Sequence, residues 1–383
     1  MNLSTATPTG VRDVVAAARR VAPTLGESAA AVDRDAVFPA RSVAALHEAA
    51  LLDLVRSASL GELVAVAAEL GKACGSSAMI WAMHQVQLAC VDRHLGASAP
   101  VRAAVDDLVA TGGLIASITS EAGVGGSLRT SGAAVRVDGG RASLSKAAPT
   151  VSYGAHAAAF LVTARRDERA GAGDQVAVFA PATASAMTPA GPPWNPMGMR
   201  GTCSPGFEFR TEVPADHVLP DPFELIAGAT MVPLSHLLWS ACWSGIAASA
   251  FHRAQQAVRR RMRANPELVE PRLARAAERI SLIEAALTEG VRRYEPLWAD
   301  PATFDVHGGP ALTLAMNNLK VTVSTVAVDV AVTALEVCGM AGYAEAGPLS
   351  VARQLRDLYS ARLMIGNERL LAANARLSLL KRA

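Results

Sequence analysis

The segment Ser117-Ile118-Thr119-Ser120-Glu121-Ala122-Gly123-Val124-Gly125-Gly126-Ser127-Leu128 divides the chain into two textures. It begins as the tail of a short apolar run, Leu114 to Ile118, passes through two hydroxyl residues and an acid, and dissolves into a glycine-rich turn. A short apolar run followed by turn residues is the pattern of a β-strand and its loop. The same pattern recurs at Ala134 to Val137, Ala158 to Thr163, Val176 to Ala180 and Phe207 to Arg210, with Gly, Asp and Pro between the runs. A β subdomain is therefore expected over residues 113–222, closed by the Pro-containing stretch Val218 to Pro222. Arg165 to Gly173 and Ala182 to Pro193 read as its solvent-facing loops.

On either side of this region the period is helical. Upstream, Val43, Leu46, Ala50 and Leu51 recur at helical spacing after Pro39, Leu60 to Leu70 continues the pattern, and Ser76 to Arg93 forms a third run. Downstream, long helical segments are expected near Met231 to Met262, Arg272 to Tyr294, Leu312 to Cys338 and Leu349 to Lys381. The expected class is α+β and multidomain: a helical domain over 1–112, a β-barrel or sandwich over 113–222, and a four-helix bundle over 223–383. A chain of 383 residues exceeds the ~250–300 that one core usually serves, which agrees with several packed subdomains.

Composition removes other classes. With 51% hydrophobic residues the chain has ample material for large cores, and 36 Lys+Arg against 34 Asp+Glu give no dense basic surface for nucleic acid. The five cysteines are odd in number, widely spaced and without a C-x-x-C pair, so neither a disulfide framework nor a zinc site is expected, and a cytoplasmic location fits. Met1 to Gly10 has no basic region followed by an apolar run, so no secretory signal is expected. The most apolar stretch, Leu237 to Phe251, has fifteen residues; a bilayer span needs ~20, so this is expected to be a buried core helix rather than a membrane segment.

Four segments in order resemble the acyl-CoA dehydrogenase superfamily. Thr119 to Ser127 resembles the family's "Thr-Glu-Pro-x-Ala-Gly-Ser-Asp" loop. Asp138-Gly139-Gly140-Arg141 through Ser145, continuing to Ala157–Val162, resembles the hairpin that carries a flavin-contacting hydroxyl. Met197-Gly198-Met199-Arg200-Gly201-Thr202 with Val213-Pro214 is similar to "Leu-Gly-x-Arg-Gly-Ser" and the closing "Val-Pro". Cys338-Gly339-Met340-Ala341-Gly342-Tyr343, then Pro348 and Arg356-Asp357, resembles "Gly-Gly-x-Gly-Tyr…Pro…Arg-Asp". Each motif alone is common; their order within a helical, β, helical chain is what carries the resemblance.

The resemblance implies FAD as cofactor and a homodimer or homotetramer that builds each flavin site across two subunits. It implies Thr119 and Ser120 at the pyrimidine edge, Ser117 among the cofactor-binding residues, Gly125 and Gly126 under phosphate, and Ser145 facing N5. Ser143 stands where the family commonly has a stacking tryptophan, Glu336 replaces a Gln ahead of Gly339, and Asn367 replaces a Thr in the C-terminal turn. The arginine run Arg259–Arg261 keeps the charge of a phosphate-binding helix end. The implied activity is α,β-dehydrogenation of an acyl thioester on CoA or an acyl carrier protein, with hydride passing to flavin N5 and onward to an acceptor flavoprotein or O2.

That chemistry needs a carboxylate base at the α carbon. Counting from Arg356-Asp357, the base position is Ile365. Three readings follow. Glu368, one helical turn later, or His236 substitutes as base; or the chain is a same-fold monooxygenase using reduced flavin and O2; or it is a non-catalytic acyl-carrier-binding homologue. His84, Trp239 and Trp243 are expected along the substrate pocket, and no metal site is expected. A missing glycine loop between Val55 and Leu60 predicts a reshaped substrate mouth.

Overall fold

The computed structural model describes residues 13–124, 128–300 and 303–380. Met1 to Gly10, Gly125 and Gly126, on which expectations were placed, lie outside them.

Among the described residues, five α-helices precede the β region. α1 (Val14–Asp35) starts at Asp13, whose carboxylate accepts the Ala16 N–H at 2.8 Å. α2 (Ala40–Glu48) follows, and α3 (Leu60–Ala73) opens with a capping box in which Ser59 and Glu62 satisfy each other's backbone N–H groups. α4 (Gly75–His94) is buried nearly all round and so lacks an amphipathic pattern, and α5 (Ala99–Ala110) leads to the first strand.

The β region holds two sheets. β1 (Ile115–Ile118), β4 (Ala159–Arg165) and β5 (Gln175–Pro181) form one in the order β1-β4-β5, with β1 parallel to β4 and β4 antiparallel to β5. β2 (Arg136–Asp138), β3 (Arg141–Ala148), β6 (Ser185–Ala190) and β7 (Gly206–Pro214) form an antiparallel sheet in the order β2-β3-β7-β6. β6 lies in the stretch read from sequence as loop. Its side chains are mostly solvated and it carries Pro189, which an edge strand tolerates because one side of its backbone faces no partner. Phe160 on β4 meets Phe209 on β7 edge-on at 5.3 Å, closing the two sheets over a shared core.

The C-terminal helices are α6 (Phe223–Ile226), α7 (Val232–Met262), α8 (Pro271–Ala299), α9 (Phe304–His307), α10 (Gly309–Cys338), α11 (Met340–Tyr343), α12 (Ala352–Tyr359) and α13 (Asn367–Leu380). α6 continues into α7 through a π turn at Ala227–Met231. Pro233 has no N–H to give the Ala229 carbonyl, and that carbonyl accepts the Tyr294 hydroxyl of α8 at 2.8 Å. Leu237 to Phe251 is the middle of α7, buried against α3 and α10. α3 and α7 approach so closely that a Cβ on Gly71 would lie 2.4 Å from the Cys242 carbonyl oxygen, and one on Gly245 2.1 Å from that of Ala68.

The three layers meet at the Met197–Thr202 motif. Arg200 donates to the carbonyls of Asp33 (2.6 Å) and Pro196 (2.8 Å), Arg356 clasps Asp33 at 3.0 and 2.6 Å, and buried Asp357 accepts the Met199 N–H at 2.6 Å. A Cβ on Gly198 would fall 2.2 Å from the Arg356 carbonyl oxygen, which explains the glycine. The motif and the Arg-Asp pair, separate signals in the sequence, are two halves of one joint.

Candidate functional site

Two clusters of polar side chains sit on either side of this joint. The first lies where β1 ends. Ser117 and Thr119 hydroxyls are 3.2 Å apart, Ser120 Oγ donates to the Thr150 carbonyl at 2.7 Å, and the Ala122 N–H donates to Ala147 O at 3.0 Å. Glu121 holds the far end of the glycine-rich loop: it accepts from Ser131 Oγ (2.6 Å) and from the N–H groups of Gly132 (2.9 Å) and Ala133 (2.8 Å). Burial opposes its charge, yet these donors and Lys146 at 3.5 Å outweigh it and hold the carboxyl below its ordinary range. Lys146 is itself buried among the Thr163 carbonyl (2.7 Å) and hydroxyl (3.0 Å), and burial pulls it down to about 8.

Ser143 and Ser145 are not beside Ser120. β3 buries Ala142, Leu144, Lys146 and Ala148, and strand alternation turns Ser143 and Ser145 to the opposite face, where they pair in register with Glu212 and Arg210. There they line an open groove of about 1100 Å³ with Arg136, Arg165 and Arg210. The segment that meets the β1 end is the one after β3: Thr150 takes the Ser120 hydroxyl, and Ser152 joins Ser204 (2.9 Å) and Thr202 (2.9 Å) in a chain of hydroxyls. The expected grouping of Ser143 and Ser145 with Ser120 is therefore not what β3 makes, because its buried face is the one that carries Lys146.

The second cluster lies between α7, α10 and the turn before α13. Ile365 occupies that turn with φ +53°, unusual for a β-branched residue, and its carbonyl accepts Lys320 Nζ at 2.7 Å. The same ammonium donates to Asn367 Oδ1 at 2.7 Å, while Asn367 Nδ2 donates to Ser324 Oγ at 3.0 Å. Asn367 is thus tied to α10. Lys320 Nζ also stands 5.7 Å from the ring centre of Trp243, and burial lowers it to about 8. His236 donates from Nδ1 to the Met316 carbonyl at 3.1 Å, and burial lowers its pKa to about 4, with Lys320 nearby adding to the fall. It is therefore a neutral imidazole with its Nε2 lone pair unused. Trp239 and Trp243 share its side of α7, as their spacing from His236 requires.

The other expected residues are dispersed. Glu368 is exposed on the first turn of α13, away from the buried groups. Glu336 is exposed near the end of α10, and Gly339, with φ +61°, terminates that helix facing open space. His84 corrects the pocket expectation. It is fully buried in α4, with Nε2 on the Leu52 carbonyl (2.9 Å) and Nδ1 accepting the Ile115 N–H (3.0 Å), so both nitrogens are consumed. Trp81 and Gln85 grip the same 51–55 segment, at 2.6 Å to Leu51 O and 2.7 Å to Leu52 O. The shortened linker is thus fastened to α4. Lys320, Ser240, Thr150 and Ser152 were missed; a lone lysine in the apolar run Leu319-Lys320-Val321 was the available signal for the first.

Helical, β and helical layers joined in this order, with polar clusters at the β1 end and at the turn before α13, define the acyl-CoA dehydrogenase fold. Residues 231–376 match the family model described as acyl-CoA dehydrogenase, C-terminal domain. A search of curated proteins finds no match. Among solved structures, FMN-bound TdsC from Paenibacillus sp. A11-2 superposes with a TM-score of 0.83 at 18% identity, covering 97% of this chain and 98% of that one. KijD3 in complex with dTDP gives 0.81 at 21% identity, covering 98% of both. Butyryl-CoA dehydrogenase from Megasphaera elsdenii gives 0.79 at 18%, covering 98% of this chain and all of that one.

Proposed function

We propose that the protein is a flavin-dependent oxidoreductase that works with reduced flavin and O2, a monooxygenase rather than an α,β-dehydrogenase. One observation carries the choice: the turn where the family resemblance places a carboxylate base holds Ile365, and its carbonyl takes a lysine that lies near the neutral His236. The residues at the β1 end fit a flavin edge, since Thr119, Ser120, Thr150 and Ser152 gather hydroxyl and carbonyl groups on one side of the joint. Bound reduced flavin supplies the electrons that activate O2. His236 Nε2, free to accept, takes a proton or a hydrogen bond from a substrate X–H. Asp357 and Met199 hold the two clusters in register. The resemblance implies FAD, whereas the TdsC structure is described as FMN-bound; chromatography of the released flavin decides between them. Electrons come from a separate reductase or flavoprotein partner, and a homodimer or homotetramer belongs to the same proposal.

Anaerobic addition of acyl thioesters to the flavin-loaded protein tests this. The expected result is no bleaching of the flavin, with product formed only when reduced flavin and O2 are both supplied. Bleaching by a thioester, abolished in Glu368→Gln, would restore dehydrogenation and overturn the proposal. The expected outcome for Glu368→Gln is unchanged activity, because the side chain is exposed at the start of α13.

A further inference from the structure

Among the described residues two lysines are buried, and they differ in one respect. Lys146 has a carboxylate, Glu121, at 3.5 Å. Lys320 has none: its ammonium is held by the neutral oxygens of Ile365 and Asn367, and among the described residues no acid lies within ion-pairing distance. A buried cation is costly without a counter-charge.

Beside it, α7 presents a row of buried polar atoms with no protein partner: His236 Nε2, Trp239 Nε1, Ser240 Oγ and Trp243 Nε1. Their spacing of three, four and seven residues puts them on one helical face, and that face is toward α10, because His236 bonds Met316 and Trp243 lies against Lys320. Two indole N–H groups, a hydroxyl and an ammonium are donors. The imidazole nitrogen accepts, and the hydroxyl can do either, so donors outnumber acceptors. Buried donors gathered in this way need an acceptor from elsewhere. The indole rings add flat apolar area beside those donors.

We propose that this row is a substrate subsite for an aromatic anion, a phenolate or an aryl carboxylate, with its oxygen on Lys320 Nζ and the α7 donors and its ring between the two tryptophans. Lys320 is the residue that sets this specificity. The proposal deepens the flavin-oxygenase reading of the same site by naming the substrate class.

The test compares two probes of one shape, para-nitrophenol at a pH where it is ionised and nitrobenzene, by calorimetry on the flavin-loaded protein and on the protein as purified. The phenolate is expected to bind at least about tenfold more tightly than nitrobenzene. Lys320→Met should erase that preference while leaving nitrobenzene binding in place, and Ser240→Ala should reduce it in part. Equal affinity for the two probes, binding of neither, or a preference that survives Lys320→Met would overturn the proposal. Should Lys320→Met fail to fold, the wild-type comparison and Ser240→Ala decide it. A protein that takes no flavin yet keeps the phenolate preference would instead count against the oxygenase reading alone.

Discussion

His84 shows how one side chain can serve as a fastening in place of a reagent. It joins the Leu52 carbonyl to the Ile115 N–H, and so ties the 51–55 linker to the first strand through α4. His84→Ala strands both groups in the core and should cost ~2–4 kcal/mol in denaturant unfolding, with the folded variant still active at low temperature. Histidine protonation gives a second prediction. Burial lowers both His84 and His236 from 6.5 to about 4. Between those values the unfolded chain binds protons that the folded one refuses, so their contribution to stability is complete above pH 6.5 and is lost as pH falls toward 4. Asp357, raised from 3.8 to about 6 by burial, acts in the opposite sense over nearly the same window. Melting temperature should therefore fall on acidification from 6.5 to 4, and fall more steeply in Asp357→Asn, which has no carboxyl to take up the compensating proton. A flat profile would refute the assignment. At this scale the sequence was informative about residue type but not about partner: Ile365 and the absence of a base were visible, whereas the direction in which Ser143 and Ser145 point depends on which strand face meets the core.

Among the elements, the crossing of α3 and α7 is the tightest joint between layers, made by Gly71 and Gly245 against facing carbonyls. Gly245→Ala places a methyl where the Ala68 oxygen already is, so the helices must separate. A loss of ~2–3 kcal/mol is expected in thermal or urea unfolding despite the better helix propensity of alanine, together with weaker ligand binding beneath α7. An unchanged melting point would mean that the crossing yields easily. Long elements were legible because apolar period repeats over many turns, and α7, α8 and α10 fall where the period places them. β6 escaped because an edge strand has no buried face to leave a pattern. Lys320 escaped for a related reason: a single charge in an apolar helix carries no period, and its meaning depends on Ile365 and Asn367 from a distant turn.

For the molecule as a whole, the order helical, β, helical and the four resembling motifs already specified the architecture, and the third motif marks a place where backbones must touch. Gly198 under Arg356 and Arg200 on the α1 carbonyls are those touches seen in three dimensions. The sequence held no direct statement that Asp33 takes part. Asp33→Ala should leave Arg356 in the joint with only Glu345 as a charged partner, lowering stability by about 2–3 kcal/mol and exposing the end of α1 to protease. Limited proteolysis that begins elsewhere would show the joint to be dispensable. Only half of the most apolar stretch of α10 is buried in the single chain, and under the proposed homo-oligomer a second copy would cover the rest.

Asp33 and Arg356 stand 323 residues apart in the chain. During synthesis α1 leaves the ribosome long before α12, and Asp33 must wait for Arg356 until the whole stretch between them has been made. The joint that aligns the two halves of the site is thus out of reach of a growing chain until α12 emerges, so a product stopped short of α12 would have its β layer and its longest helices but no clasp, and would be handed to chaperones or proteases before it met a ligand.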